Sequence, residues 1–216
     1  HILYQMINTR GDSACERFFL PESNLIKEHQ KTKTALLSVE TQRQLSDFSV
    51  IFVMLSFEMD YDNLLTVLEL GNIKLRAEQR NEKEPLIIIG GPCATFNPEP
   101  LAAVADAFVI GEGEETVQKI LDTIYTNTTK EEKLLNLANL PGVYVPKYYS
   151  PIYNEEAEFV AMEHDKRVPA KVARQWVKDI DAYPHTSAIV TSGTEFEDMY
   201  IVEVARGCGR HCRFCM

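Results

Sequence analysis

Long apolar runs are missing from this 216-residue chain. The richest, residues 50–55 (VIFVML), falls far short of the ~20 residues that cross a bilayer, so no membrane span is expected. Basic residues are scarce too. Lys and Arg number 22 against 32 Asp and Glu, a net charge of −10. That weighs against a nucleic-acid surface, which is usually basic. The opening, HILYQMINTRGD, has neither the basic start nor the cleavage site of a signal peptide. Only five cysteines occur, an odd count, with three bunched near the end and Cys15 and Cys93 far apart. A small secreted protein stapled by disulfides would not look like this. Retained thiols suit a reducing compartment, where clustered cysteines more often bind metal, and cytoplasm is the expected location. No internal repeat or low-complexity stretch occurs. With 45% apolar residues, the chain can bury a core rather than stay disordered.

The apolar residues fall into alternating patterns. CERFFLP, from Cys15 to Pro21, reads as a short strand, and SNLIKEHQ as a short helix capped by Ser23. SVIFVMLSF is a near-continuous run rich in β-branched residues, as expected of a strand buried on both faces. DYDNLLTVLELGN follows as a helix, with Asp60 or Asp62 as its cap and Gly71 closing it. The unit then repeats. PLIIIGGP is a second buried strand, NPEPLAAVA a short helix and DAFVIGEGE a third strand. EETVQKILDTIYT is the clearest helix, with Val117, Ile120, Leu121 and Ile124 on one stripe and two glutamates in its first turn.

Strand and helix in alternation with short loops predict an α/β fold: a doubly wound, Rossmann- or flavodoxin-like parallel sheet with about four or five strands. In such sheets ligands lie beyond the carboxyl ends of the strands. Three loops occupy that edge: one beginning at Ser56, one containing Gly90 and Gly91, and one containing Gly111 and Gly113. Glycine there either serves a turn or lets backbone approach a ligand. Gly111-Glu112-Gly113 is not the dinucleotide fingerprint, which needs a third glycine.

Beyond residue 130 the pattern loosens. KEEKLLNLANL reads as a short helix, and residues 142–162 as short strands broken by prolines, with a hairpin among them. Residues 166–184 read as a proline-punctuated linker that docks through Trp176 and Val177. His164, Asp165 and His185 sit in polar or loop sequence and read as solvated turns. The expected division is an α/β domain over 1–129, a β-rich connecting region over 130–185, and the start of a further domain over 186–216.

MYIVEVARGCGRHCRFCM closes the chain. A predicted strand, Tyr200 to Val204, runs into three cysteines, Cys208, Cys212 and Cys215, spaced Cys-x3-Cys-x2-Cys. Thiolates favour iron–sulfur clusters, zinc or copper(I). Three of them do not complete a four-ligand site, so one position is open or filled from elsewhere. Arg206, Arg210 and Arg213 would lower the thiol pKa values, and Gly207 and Gly209 would let backbone wrap closely around a metal core.

These residues resemble the signature of the radical S-adenosylmethionine enzymes, with Phe214 as the usual aromatic before the last cysteine. The resemblance implies a four-iron, four-sulfur cluster held by Cys208, Cys212 and Cys215. It implies that S-adenosylmethionine chelates the fourth iron and is cleaved to a 5′-deoxyadenosyl radical. A reductant protein such as flavodoxin or ferredoxin would supply the electron. It also places the loop after the first strand of a barrel. The barrel's remainder would follow Met216, and an upstream piece would precede His1. The chain is therefore expected to be an N-terminal fragment, inactive alone.

Roughly residues 10 to 125 resemble the cobalamin-binding-type domain of one branch of that family, in an uncharacterised subgroup. The resemblance carries a cobalamin groove onto Ser56, Gly90 and Gly91, and the loop of Gly111 and Gly113 lies on the same edge. The Asp-x-His-x-x-Gly motif that supplies an axial histidine is absent. Two other readings stand beside the enzyme. One is a zinc-binding structural module with His211 or a partner residue as fourth ligand. The other is a ferredoxin-like electron carrier with Cys93 or Cys15 as fourth ligand.

Overall fold

A computed structural model describes residues 1–193, 198–210 and 212–213. Its contacts divide the chain into two compact units, Glu16–Val177 and His1–Cys15 with Lys178–Met216.

The larger unit is a mixed α/β fold. Its sheet holds β1 (Val50–Met54), β2 (Leu86–Gly90), β3 (Ala107–Val109) and β4 (Val143–Tyr144), in that spatial order. The first three are parallel, and β4 joins β3 antiparallel through Phe108 opposite Tyr144. The order runs one way across the four described strands. Reversal of strand order, which marks double winding, is not found among them.

The apolar runs put the strands where expected. The Leu86–Ile89 stretch of β2 is buried throughout, as a central parallel strand requires. Helix α3 (Tyr61–Leu70) buries Leu64, Leu68 and Leu70. Helix α5 (Glu114–Thr126) buries the expected stripe of Val117, Ile120, Leu121 and Ile124. At about 1.5–3 kcal/mol per fully buried aliphatic side chain, that stripe is what docks α5. Helix α6 (Lys130–Ala138) starts with a capping box in which Thr129 accepts from the Glu132 N–H and the Glu132 carboxylate accepts from the Thr129 N–H. The expected hairpin is β5 (Tyr149–Tyr153) with β6 (Phe159–His164).

Several expectations fail for physical reasons. CERFFLP forms no strand. Its backbone is held by Val39 N–H donating to Arg17 O at 2.9 Å and by the Glu40 carboxylate accepting from Arg17 N–H at 2.7 Å. Helix α2 (Ser23–Thr32) begins at Ser23, but Glu22 holds the cap position and no side chain caps it. Asp60 precedes α3 without capping it, because its carboxylate accepts from the Asn63 side chain at 3.0 Å. NPEPLAAVA holds one 3-10 turn, Glu99–Leu101, since two prolines remove the donors that an α-helix needs. Helix α4 (Pro92–Phe96) was not foreseen. Its signal was proline at the first helical position after a glycine.

The smaller unit contains α1 (Ile2–Asn8). The Asn8 side chain donates its N–H to Cys15 O at 3.0 Å and accepts the Cys15 N–H on its carbonyl oxygen at 2.9 Å. The predicted strand over 200–204 is reduced to one isolated antiparallel bridge, Thr186 with Val202. No helix among the described residues is long and apolar enough to cross a membrane.

Candidate functional site

Two regions were marked by sequence: the carboxyl edge of the sheet in the larger unit and the cysteine loop in the smaller one. Each is described by itself.

At the sheet edge, Ser56 is exposed just after β1. Gly90 ends β2 with open space above it; a Cβ there would find only Val109 Cβ, at 3.8 Å. Gly91 has φ +101°, and a Cβ would lie 2.6 Å from Leu55 O and 2.8 Å from Met54 Sδ. The chain itself fills that space. Gly113 holds the N-cap position of α5.

Gly111 is the most constrained. Its φ is +101°, and a Cβ would sit 2.3 Å from Gln175 O and 2.7 Å from Gln175 N. Residues 175–177 run across this end of β3. Gln175 N–H donates to Ile110 O at 3.0 Å, Glu112 N–H donates to Gln175 O at 3.1 Å, and Val177 N–H donates to the Glu112 carboxylate. Gly142, at φ +76°, receives the Gln175 side chain. Val177 thus docks as expected, whereas Trp176 stays 65% exposed under the Arg174 guanidinium, 4.3 Å from its ring centroid. Gly91 and Gly111 are thus each closely approached by the chain itself, Gly91 by Leu55 and Met54 and Gly111 by Gln175.

A prediction follows for this clasp. Gly111→Ala should cost about 1–3 kcal/mol through backbone strain alone and lift Gln175 off the sheet. Gly90→Ala should stay within about 1 kcal/mol of wild type. Amide exchange at Gln175 and Val177 checks this. Unchanged exchange in Gly111→Ala would show that the clasp does not need glycine.

Behind this edge Cys93, 6% exposed, lies on α4 against the Tyr61 phenol. Burial, then the neighbouring Cys93 thiol, pushes the phenol above its ordinary value. Cys93 belongs to the core cluster, in keeping with cysteine as a small hydrophobe.

The cysteine loop is described in part. Cys208 and Cys212 are exposed and in no disulfide. His211, Phe214 and Cys215 lie outside the described residues, and no metal-binding group of three side chains is found among those described. The loop is approached by a short pairing in which Glu203 N–H donates to His185 O at 2.7 Å and Ser187 N–H donates to Ile201 O at 2.9 Å. Arg206 grips the Glu203 carboxylate at 2.7 and 2.9 Å, holding that carboxyl below its usual range. Gly207 has φ +79°, and among the described residues nothing lies within 4 Å of a Cβ at Gly207 or Gly209. At the end of β6, Arg167 pairs with Asp165 and holds its carboxyl down to about 2, which fits a solvated turn rather than an acid–base pair.

A family model described as "Radical SAM proteins, N-terminal" matches residues 1–146. The chain belongs to this radical SAM family, SAM being S-adenosylmethionine. An archaeal relative, the uncharacterized protein MJ0966 of Methanocaldococcus jannaschii, is 24% identical over 197 residues, covering 90% of this chain and 36% of its own length. The radical SAM chain therefore spans about a third of that relative. No solved structure matches it.

The buried ionic cluster of the larger unit was not visible in the sequence. Asp106, just before β3, accepts from Arg80 at 2.7 Å, Lys130 at 2.9 Å and the Ile87 N–H at 2.9 Å. It lies away from the cysteine loop in sequence and serves the sheet.

Proposed function

We propose that this chain is the N-terminal part of a radical S-adenosylmethionine enzyme in which Cys208, Cys212 and Cys215 ligate a four-iron, four-sulfur cluster. One observation carries the reading. The family match ends at residue 146, and the Cys-x3-Cys-x2-Cys run lies wholly beyond it. Two separate stretches of one chain thus point to one chemistry.

The donor set fits the group. Thiolates are soft ligands suited to iron–sulfur clusters, and three of them leave one iron open. Cys208 and Cys212 are exposed and in no disulfide, and no described residue crowds the two loop glycines. When bound and reduced, the cluster would supply the electron that cleaves the sulfonium of S-adenosylmethionine to a 5′-deoxyadenosyl radical. The three thiolates hold the iron, and Glu203 orients Arg206 two residues before the first of them. An electron donor of flavodoxin or ferredoxin type completes this reading. The substrate site would belong to polypeptide corresponding to the rest of the longer relative. Cobalamin at the sheet edge belongs to this reading as a second cofactor whose groove would lie over exposed Ser56 and open Gly90, with Gly91 packed against Leu55 and Met54.

The test is anaerobic reconstitution of the full gene product with iron and sulfide. About four irons per chain and a spectrum that shifts on adding S-adenosylmethionine are expected, as an open iron requires. Zinc in place of iron would favour a structural module, and a cluster indifferent to S-adenosylmethionine would remove the catalytic reading.

A further inference from the structure

Strand β1 has the composition of an interior strand but stands at the edge of its sheet. Its sequence, VIFVM, has no charge, proline or glycine. Its neighbour β2 has the same character and is buried from Leu86 to Ile89. Parallel strands that are apolar on both faces are ordinarily covered on both sides. Exposed edges, by contrast, are usually blunted by lysine, proline or a bulge, and β1 has none of these. Its residues Val50 to Val53 are only half-buried, and Met54 is 65% exposed.

The hydrogen bonds show what is left over. Leu86 N–H donates to Ser49 O at 3.2 Å, and Leu55 N–H donates to Gly90 O at 2.9 Å. In a parallel ladder, alternate residues turn their backbone groups to the same neighbour. Ser49, Ile51, Val53 and Leu55 therefore face β2, and Val50, Phe52 and Met54 face outward. Among the described residues, none bonds to the outward N–H or C=O groups of those three. They form an uncharged row that fits another extended backbone.

We propose that a further strand, from polypeptide outside residues 1–216, pairs with this edge and makes β1 an interior strand. The inference rests on the reading of the chain as part of a longer protein. The archaeal relative has about two-thirds of its length outside the match, which is ample to provide a strand. A second copy is the poorer occupant. It would bring two chains of net charge −10 together, and like charge opposes association.

Residue-resolved amide exchange tests this on the full gene product and on the 216-residue chain. Val50, Phe52 and Met54 should exchange about a hundredfold more slowly in the full product than in the shorter chain, reaching the protection of Ile51 and Val53. Fast exchange in both would mean that the edge is open, and would overturn the proposal. Slow exchange in both would also overturn it, with a dimer in solution naming a second copy and a monomer naming cover from within residues 1–216. Intact mass of the gene product separates the two claims. A product ending at Met216 would remove the longer-protein reading and this occupant together, while the exchange rates would still report the state of the edge.

Discussion

Asp106→Ala is expected to lower the stability of the sheet unit by about 3–5 kcal/mol, the cost of stranding a buried charge. The carboxylate is 1% exposed and the Arg80 side chain 0%. Arg80 donates to it through Nε at 3.2 Å and Nη2 at 2.7 Å, and Lys130 approaches the other oxygen at 2.9 Å. The same carboxylate accepts the Ile87 N–H, which starts the β2 ladder toward β3. Arg80 spends its remaining donors on Lys74 O, Leu75 O and Val104 O. One carboxylate therefore fixes the loop after α3, the start of β3 and the first residue of α6. Removing it leaves a buried guanidinium without its counter-ion and a buried N–H without its acceptor. Total stabilities of 5–15 kcal/mol make such a loss visible as a lowered unfolding midpoint. Replacing the pair together, Arg80→Met with Asp106→Leu, should cost less than the two single losses summed, because the buried guanidinium and carboxylate leave together and Lys130 keeps its bonds to Ala77 O and Arg80 O. Urea unfolding followed by circular dichroism measures all the variants. A loss under about 1 kcal/mol for Asp106→Ala would show that water or rearrangement compensates the buried arginine.

Much of the sheet was legible because its signals are local. The run at residues 50–55, the LIII of β2 and the 3.6-residue stripe of α5 each announce their element within a dozen residues. The misses depend on partners distant in sequence. Nothing near Asp106 shows that Arg80, 26 residues earlier, will be buried against it. Nothing in Pro141-Gly142 shows that the next two residues add an antiparallel strand beside β3. The same limit governs the candidate sites. Gly111 was marked as a glycine serving either a turn or a ligand; that the Gln175 backbone would close on it, at φ +101°, depends on a residue far along the chain that no local signal shows. The strand over 200–204 looked secure by composition. Its described structure is a single bridge with Ile201 and Val202 each 47% exposed, so the local β preference there is not matched by burial. The cysteine spacing needed no fold to be read, which is why it carries the functional reading beyond the family match.

Cysteine replacement gives the largest expected effect on activity. In the full gene product, Cys208→Ala, Cys212→Ala and Cys215→Ala should each reduce cleavage of S-adenosylmethionine to the level of a control without enzyme. Iron should fall well below the about four per chain of a complete cluster. On the proposed reading each thiolate holds one iron of its own, so no spare protein ligand replaces one that is removed. Cys93→Ala and Cys15→Ala are the decisive comparison. Cys93 is packed in the core of the sheet unit at 6% exposure, and Cys15 is tied through its backbone to Asn8. Both variants should keep their iron and their activity, losing at most some stability. Arg206→Ala should fall between the two groups. It removes a guanidinium held by Glu203 two residues before the first proposed ligand, and such supporting contacts are worth about 10–100-fold in metal affinity or activity. Its iron content should be retained after full reconstitution, with the loss appearing in the cleavage rate. Were Cys93→Ala or Cys15→Ala to lose the cluster instead, the site would have four protein thiolates. A fully ligated cluster has no open iron for S-adenosylmethionine, and the chain would then be an electron carrier.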